Sequence, residues 1–152
     1  MADYGLLVTN ELAKETQQLK KTEDIASAVQ LPLTTVRKIL QHLVDAKVVE
    51  SFRGINGGYR LAKPAEDLKI VDVISAIEGP IAITECSVGN TCNLQQHCRL
   101  RENWSYINFL VERVLRQISL ADMSKTLLMK ENEVDIVELL NRFSKAETHI
   151  PY

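Results

Sequence analysis

Apolar residues recur at helical spacing through the first part of the chain. Leu7 and Leu12 supply a core face for a helix predicted over residues 2–16. A short helix is predicted over residues 23–29, because Thr22 offers a hydroxyl cap and acidic residues follow in the first turn. Both helices have one apolar side, so they are expected to pack against a shared core.

A longer helix follows a proline break. Pro32 disfavours helical geometry in the residue before it and is tolerated in the first turn of the next helix. A helix is then predicted from Leu33 to Lys47, with four apolar residues at helical spacing: Val36, Leu40, Leu43 and Val44. Two helices joined by a tight turn form a helix-turn-helix pattern, and its second helix is expected to be the recognition helix, Leu33–Ala46.

After Lys47 the spacing of apolar residues changes from helical to strand-like. The runs Val48–Arg53 and Tyr59–Ala62 surround a segment rich in glycine, Gly54-Ile55-Asn56-Gly57-Gly58. This pattern predicts a β-hairpin. A hairpin directly after a helix-turn-helix predicts a winged helix, which Pro64 closes.

Two more helices are predicted beyond the hairpin. The first runs from Ile70 to Glu78 and ends at Gly79-Pro80. The second, over residues 104–118, has the most regular apolar stripe in the chain: Ile107, Leu110, Val111, Val114, Leu115 and Ile118. Packing within one chain is one explanation, but few other elements are available to cover so long a stripe. We therefore expect a homodimer in which the stripe packs on a second copy.

The predicted fold is mainly α with a small β-hairpin wing, a winged helix-turn-helix plus a long dimerisation helix. Residues 1–64 form the DNA-binding domain in this interpretation. Residues 65–125 hold a cysteine loop and the dimerisation helices, and residues 126–152 form a variable tail with one short helix. Composition agrees with a folded domain, since 45% of the 152 residues are hydrophobic and no apolar run is long enough to span a membrane.

Charge is unevenly distributed along the chain. The formal net charge is −2, yet residues 30–63 carry six Lys and Arg against two Asp and Glu. A basic segment within a mildly acidic chain is typical of a site for a polyanion. No Ser-His-acid or paired-carboxylate arrangement is evident, so we expect neither an enzyme nor a small-molecule substrate.

The three cysteines of the chain lie in one short polar segment. Cys86, Cys92 and Cys98 are spaced Cys-x5-Cys-x5-Cys, with Gly and Asn between them that let a loop fold around an object. Three soft thiolates suit zinc or an iron–sulfur cluster. Buried cysteines without a partner are the alternative, but those should lie on a helix or strand face. The odd count and the absence of an export signal argue against disulfides and predict a cytoplasmic protein.

The helix-turn-helix and the wing together predict a contact surface for double-stranded DNA. The start of the second helix is expected in the major groove, where four residues reach base edges and phosphates: Thr34, Thr35, Arg37 and Lys38. The wing is expected at the DNA backbone and minor groove. Its predicted DNA-binding residues are Arg53, Asn56, Gly57, Gly58, Tyr59 and Arg60, of which Tyr59 anchors the hairpin and Arg60 adds positive potential.

The run from Ser51 to Ala62, Ser-Phe-Arg-Gly-Ile-Asn-Gly-Gly-Tyr-Arg-Leu-Ala, resembles the wing signature of the IscR/NsrR family of winged-helix regulators, the Rrf type. The resemblance covers residues 3–125, through Asp3-Tyr4, Ile70–Ile74, Glu78-Gly79-Pro80 and Ser119–Met123. The resemblance implies a homodimeric regulator that binds a pseudo-palindromic operator. It also implies an iron–sulfur cluster held by the three cysteines, in either a two-iron or a four-iron form. A regulator with structural zinc or no metal, and an electron-transfer protein, are the alternatives.

Within the family, Glu78–Cys86 and Asn103-Trp104 look most like proteobacterial regulators of the SUF iron–sulfur assembly system. IscR-like members place a histidine ligand where this chain has Arg101, which stays protonated and cannot bind iron. Nitric-oxide-sensing members use an acid in the same N-terminal Asp-Tyr setting, reaching in from the partner subunit. This resemblance favours Asp3 over His97 as the fourth ligand, although an acid at a helix start is also common without a metal.

Overall fold

Helices surround one small hairpin in this protein. The computed structural model describes residues 1–84 and 98–124. The N-terminal elements are α1 (Ala2–Ala13), α2 (Thr22–Val29), α3 (Leu33–Asp45), β1 (Val49–Phe52) and β2 (Gly58–Leu61), and the two strands pair antiparallel. The remaining elements are α4 (Ile70–Glu78), α5 (Arg101–Leu115) and α6 (Leu120–Ser124). The predicted mainly helical fold with a hairpin wing is confirmed.

The core is built around α3. Its buried residues recur three and four positions apart, as one face of a helix requires: Val36, Ile39, Leu40 and Leu43. They meet Val8 and Leu12 of α1, Ile25 of α2 and Val73 of α4 in a single apolar cluster. Each such side chain stabilises the fold by roughly 1.5–3 kcal/mol when removed from water. The core therefore fixes α3 and leaves its polar side outward.

The first helix differs from its prediction. It ends at Ala13 rather than residue 16, and Leu7, predicted for the core face, is exposed. The buried face instead runs through Gly5, Val8, Thr9 and Leu12. A Cβ at Gly5 would overlap the side chain of Ile77, so glycine is what allows α1 to approach α4 closely.

Two helix starts were also predicted wrongly. Thr22 is the first residue of α2 and not its cap, because Lys21 occupies the cap position and makes no side-chain hydrogen bond there. The helix α5 begins at Arg101 and ends at Leu115, about one turn before the predicted span of 104–118. Ile118 lies beyond the helix, where its carbonyl oxygen accepts a 3.1 Å hydrogen bond from the backbone N–H of Ile70. That backbone pairing ends the helix earlier than the apolar pattern alone indicates.

The chain returns to the core after α5. Leu120 N–H donates to the carbonyl oxygen of Leu68 at 2.8 Å, so the segments before α4 and α6 run side by side. The described helices include none that is long and apolar enough to cross a membrane. Through this backbone pairing α6 reaches α1, with Leu120 fully buried in the shared core.

Candidate functional site

The N-terminal end of α3 presents polar side chains to solvent. Gln30 adopts a left-handed conformation, with φ 54°, which ends α2 and turns the chain toward Pro32 at the start of α3. Thr34, Arg37 and Lys38 are exposed and Thr35 is half-buried. The predicted major-groove residues thus lie on the side of α3 opposite its core face.

Arg37 has a partner that the sequence did not indicate. Its Nη2 lies 3.4 Å from Oε1 of Glu23, and both side chains are 61% exposed. An exposed pair of this kind contributes about 0–1 kcal/mol. Arg37 is therefore held over α2 only weakly, and exchanging Glu23 for a nucleic-acid acceptor costs little.

Arg60 is engaged within the hairpin. It lies directly opposite Glu50 in the strand register, and its Nε and Nη2 donate to Glu50 Oε2 at 3.1 and 3.0 Å. Its guanidinium carbon also lies 4.7 Å from the centroid of the Phe52 ring. Because Glu50 offsets its charge, Arg60 adds less positive potential to the wing than its sequence position indicates.

The wing is attached to the body through Lys20. The backbones of Lys20 and Tyr59 exchange two hydrogen bonds, at 3.0 and 2.9 Å, and the Tyr59 side chain packs on the core. The Lys20 Nζ in turn donates to Glu11 Oε1 at 2.8 Å and to the Glu11 carbonyl oxygen at 3.1 Å. Burial raises the pKa of Glu11, but hydrogen bonds from Lys14 and Lys20 outweigh it and hold that pKa below the ordinary value.

Gly58 has a packing reason to be glycine. It is buried, and a Cβ there would lie 2.8 Å from the carbonyl oxygen of Lys20. A side chain would push the hairpin away from Lys20. Its predicted contact with DNA stays a prediction, and the buried position explains this glycine without one.

The tip of the wing is a tight turn. Gly57 N–H donates to the carbonyl oxygen of Gly54 at 3.0 Å, with Ile55 and Asn56 between them. A Cβ at Gly57 would overlap the Phe52 carbonyl oxygen, so this turn also requires glycine. Arg53 and Asn56 are exposed, and the sequence has no acidic residue from 51 to 65. The tip is therefore cationic and open to solvent.

The described residues on either side of positions 85–97 are both attached to α5. Cys98 is a half-buried free thiol just before the helix, and its carbonyl oxygen accepts a hydrogen bond from Arg101 N–H at 3.5 Å. Asn108 is the buried residue of α5, and its amide group donates to Ile81 O at 2.9 Å and accepts from Ile83 N–H at 3.0 Å. Asn108 thus fastens the chain just before the segment to the helix that follows it.

Most of the predicted metal ligands lie outside the described residues. Cys86, Cys92 and the alternative ligand His97 fall in residues 85–97. Residues 1–84 and 98–124 contain no group of three side chains placed to hold a metal ion. The three-cysteine site therefore stays a prediction, with Cys98 as its described member.

Asp3 lies in the exposed first turn of α1, 3.5 Å from the amino group of Met1. The same amino group donates to Glu78 Oε1 at 2.6 Å, and Ala2 N–H donates to that oxygen at 2.9 Å. These bonds hold the pKa of Glu78 below its ordinary value. They also place the start of α1, and with it Asp3, beside the end of α4, from which the chain leads to the cysteines.

The apolar stripe of α5 is only partly covered in one chain. Ile107, Leu110 and Val111 remain 41, 36 and 37% exposed, and Tyr106 and Phe109 are more exposed still. Val114, Leu115 and Ile118 are half-buried. Several large apolar side chains in a row on a helix are typical of an interface.

A helix-turn-helix with an exposed basic start, followed by a cationic hairpin, defines a winged-helix transcriptional regulator. The chain belongs to the Rrf2 family, whose sequence model, described as an iron-dependent transcriptional regulator, matches residues 1–126. The family consists of DNA-binding transcriptional regulators. The prediction that this protein is not an enzyme is thereby confirmed.

Individual relatives agree with this assignment. The chain is 31% identical over 144 residues to the HTH-type transcriptional regulator NsrR of Oceanobacillus iheyensis, covering 91% of this chain and 92% of the relative. It is 30% identical to the structure of CymR, the global cysteine regulator of Bacillus subtilis, with a TM-score of 0.63, covering 81% of this chain and 92% of that one. The structure of T. potens IscR, at 24% identity and a TM-score of 0.59, covers 99% of this chain and 90% of that one and shows the same fold.

Proposed function

We propose that this protein is a homodimeric cytoplasmic regulator whose affinity for a pseudo-palindromic operator depends on an iron–sulfur cluster. The observation that carries the proposal is that the residues on both sides of positions 85–97 are attached to α5: Cys98 lies just before the helix, and Asn108 of the helix binds Ile81 and Ile83. The same helix exposes the apolar stripe through which two copies are expected to pair. A change among the cysteines then acts directly on the element that sets the distance between the two DNA-binding domains.

Cys86, Cys92 and Cys98 are the proposed thiolate ligands, and Asp3 is the proposed fourth ligand. Cys98 suits this role because it is a half-buried free thiol just before α5 and is not part of the apolar core. The cluster would supply a redox-sensitive and iron-sensitive group. The chain's own contribution is to hold the ligands at the start of α5, and the proposed domains remain 1–64, 65–125 and 126–152.

Regulation of SUF-type iron–sulfur assembly genes is the proposed biological output. It rests on the resemblance of Glu78–Cys86 and Asn103-Trp104 to that group of regulators. A structural zinc ion on the same cysteines is the second candidate, because three thiolates suit zinc equally well. Zinc leaves the protein colourless, whereas a cluster absorbs visible light, so the spectrum of the anaerobically purified protein separates the two.

DNA recognition is proposed to combine α3 and the wing. Thr34, Thr35, Arg37 and Lys38 would enter the major groove. The wing residues Arg53, Asn56, Gly57, Gly58, Tyr59 and Arg60 would lie along the backbone and minor groove, with Tyr59 acting as the anchor. An operator for testing these contacts is obtained by selecting duplexes that bind the protein from a random-sequence pool.

Arg37→Ala is expected to weaken binding to the selected operator by about 1–3 kcal/mol, because a guanidinium that pairs with a base is lost. Equilibrium titration at fixed salt measures the change. Glu23→Gln is the matched control: it releases Arg37 from its 3.4 Å partner and should leave the affinity unchanged or slightly higher. Wild-type affinity in Arg37→Ala would remove Arg37 from the interface.

Arg53→Ala is expected to lower the slope of log affinity against log salt by about one, because one phosphate contact is lost. Titrations at several salt concentrations give the slope. Arg116→Gln removes the same charge beyond the end of α5, where it pairs with Glu112, and should leave the slope unchanged. An Arg53→Ala slope equal to that of the wild type would contradict the contact.

A further inference from the structure

The outermost point of the wing is an isoleucine. Ile55 is 94% exposed, more than any other large hydrophobic side chain among the described residues. Single exposed apolar residues are common on protein surfaces and need no explanation by themselves. Ile55, however, lies at the centre of the turn that closes the wing, next to Asn56 and two residues after Arg53.

The turn is shaped so that Ile55 projects alone. Its neighbour Gly54 has φ 114°, and a Cβ there would have no atom within 4 Å. On the other side, the hydrogen bond between Gly57 and Gly54 and the close Phe52 carbonyl keep the turn tight. The tip is therefore narrow, with one apolar side chain at its end and an amide beside it.

The electrostatic setting favours a nucleic acid over an apolar protein surface as the partner. From residue 51 to 65 the chain has three basic residues and no acidic one, and Glu50 pairs with Arg60 at the base of the hairpin. An exposed arginine two residues from a single exposed apolar side chain, with no acidic residue at the tip, matches proteins that bind the minor groove. Those proteins combine Arg or Asn contacts with an apolar wedge (Phe, Leu, Ile, Met or Pro) that opens a base step and kinks the duplex.

We propose that Ile55 is such a wedge, inserted from the minor-groove side at a flexible pyrimidine–purine step of the operator. In this arrangement Arg53 lies in the minor groove, where the negative potential attracts it, and Asn56 donates to acceptors on base edges. The inference rests on the proposed DNA interface and adds to it a partner of stated kind, a deformable TA or CA step at each wing. Specificity would then come partly from how easily the DNA bends.

The test compares the wild type with Ile55→Ser and Ile55→Met on the selected operator. Energy transfer between dyes on the two DNA ends reports bending, and titrations compare operators with a TA or an AA step at the wing position. The wild type and Ile55→Met should bend the DNA. Both should bind the TA operator about fivefold or more tightly than the AA operator, which is the low end of the effect of changing one base pair. Ile55→Ser should lose the bend and retain a preference below about twofold.

Two further readouts separate the possible failures. The salt slope of Ile55→Ser should equal that of the wild type because no charge is removed, and its thermal unfolding should be unchanged because the side chain is exposed. A wild-type protein that selects no operator would overturn the proposed function and this inference together. If the wild type binds its operator and Ile55→Ser bends the DNA and prefers the TA operator as strongly as the wild type does, only the wedge is overturned.

Discussion

Cys92→Ala is expected to abolish the visible chromophore of the anaerobically purified protein or to leave it labile to oxygen. Removing one of three thiolates leaves an iron atom without its protein ligand, and the described residues offer no replacement side chain in a metal-binding group. Cys86→Ala and Cys98→Ala should behave alike. Absorption spectra with iron and sulfide analysis of each variant measure the loss.

Ser87→Ala serves as the matched control for the cysteine variants. It removes one heteroatom from the same segment without touching a proposed ligand, so its spectrum and iron content should equal those of the wild type. If all three cysteine variants keep their full cluster content, the cluster is bound elsewhere. One equivalent of zinc in a colourless wild type would instead support the structural zinc site.

Val111→Glu is expected to convert a dimer into a monomer and to lower operator affinity by more than tenfold. Pairing through α5 would place Val111 in a dry contact, where a charge is costly without a partner. A monomer would also lose the simultaneous binding of two half-sites. Sedimentation gives the mass, and titration with the selected operator gives the affinity.

Val111 is a better position than Leu115 for testing the interface, because a charge at Val111 disturbs the fold of the single chain less. Val111 is 37% exposed and thus more open than Leu115, so a glutamate there reaches solvent in the monomer and should lower the unfolding temperature less. Leu115 is half-buried, so a charge there also disturbs the fold. Ser105→Glu, at an exposed position of the same helix, should stay dimeric. A dimeric Val111→Glu would contradict the assignment of the interface.

Local signals in the sequence predicted one helix residue for residue and the hairpin closely. The helix α4 spans Ile70–Glu78 in both prediction and structure, because Gly79-Pro80 ends it unambiguously. All four strand ends of the hairpin agreed with the prediction to within one residue, since its glycines mark the turn. The spacing of apolar residues and the glycines and prolines that form turns depend only on residues close in sequence. Such features can therefore be recognised in a single sequence.

The buried face of α1 was not predictable in this way. It uses Gly5 and Thr9, which polarity alone does not assign to a core. Gly5 is buried because Ile77 lies against it from α4, and Thr9 is satisfied there by donating its hydroxyl to the Gly5 carbonyl oxygen at 2.9 Å. The burial of Gly5 depends on a residue far along the chain.

The same reason explains the functional residues that the sequence did not reveal. Glu23 and Glu50 matter because of the arginines that fold against them, ten or more positions away. Asn108 is a polar residue between apolar ones in the sequence of α5, so the sequence does not predict its burial. In the structure it is buried and binds the backbone of Ile81 and Ile83. The basic side chains and the cysteines are visible in the sequence, whereas the residues that bind the basic side chains are brought to them only by the fold.

The most direct test of cluster-dependent DNA binding uses one anaerobic preparation of the full chain. Its affinity for the selected operator is measured with the chromophore intact and again after a chelator has removed the iron, at the same salt concentration. We expect the two affinities to differ by about fivefold or more, which is the usual range of coupling between two sites. Equal affinities in a protein that demonstrably loses its chromophore would contradict the account.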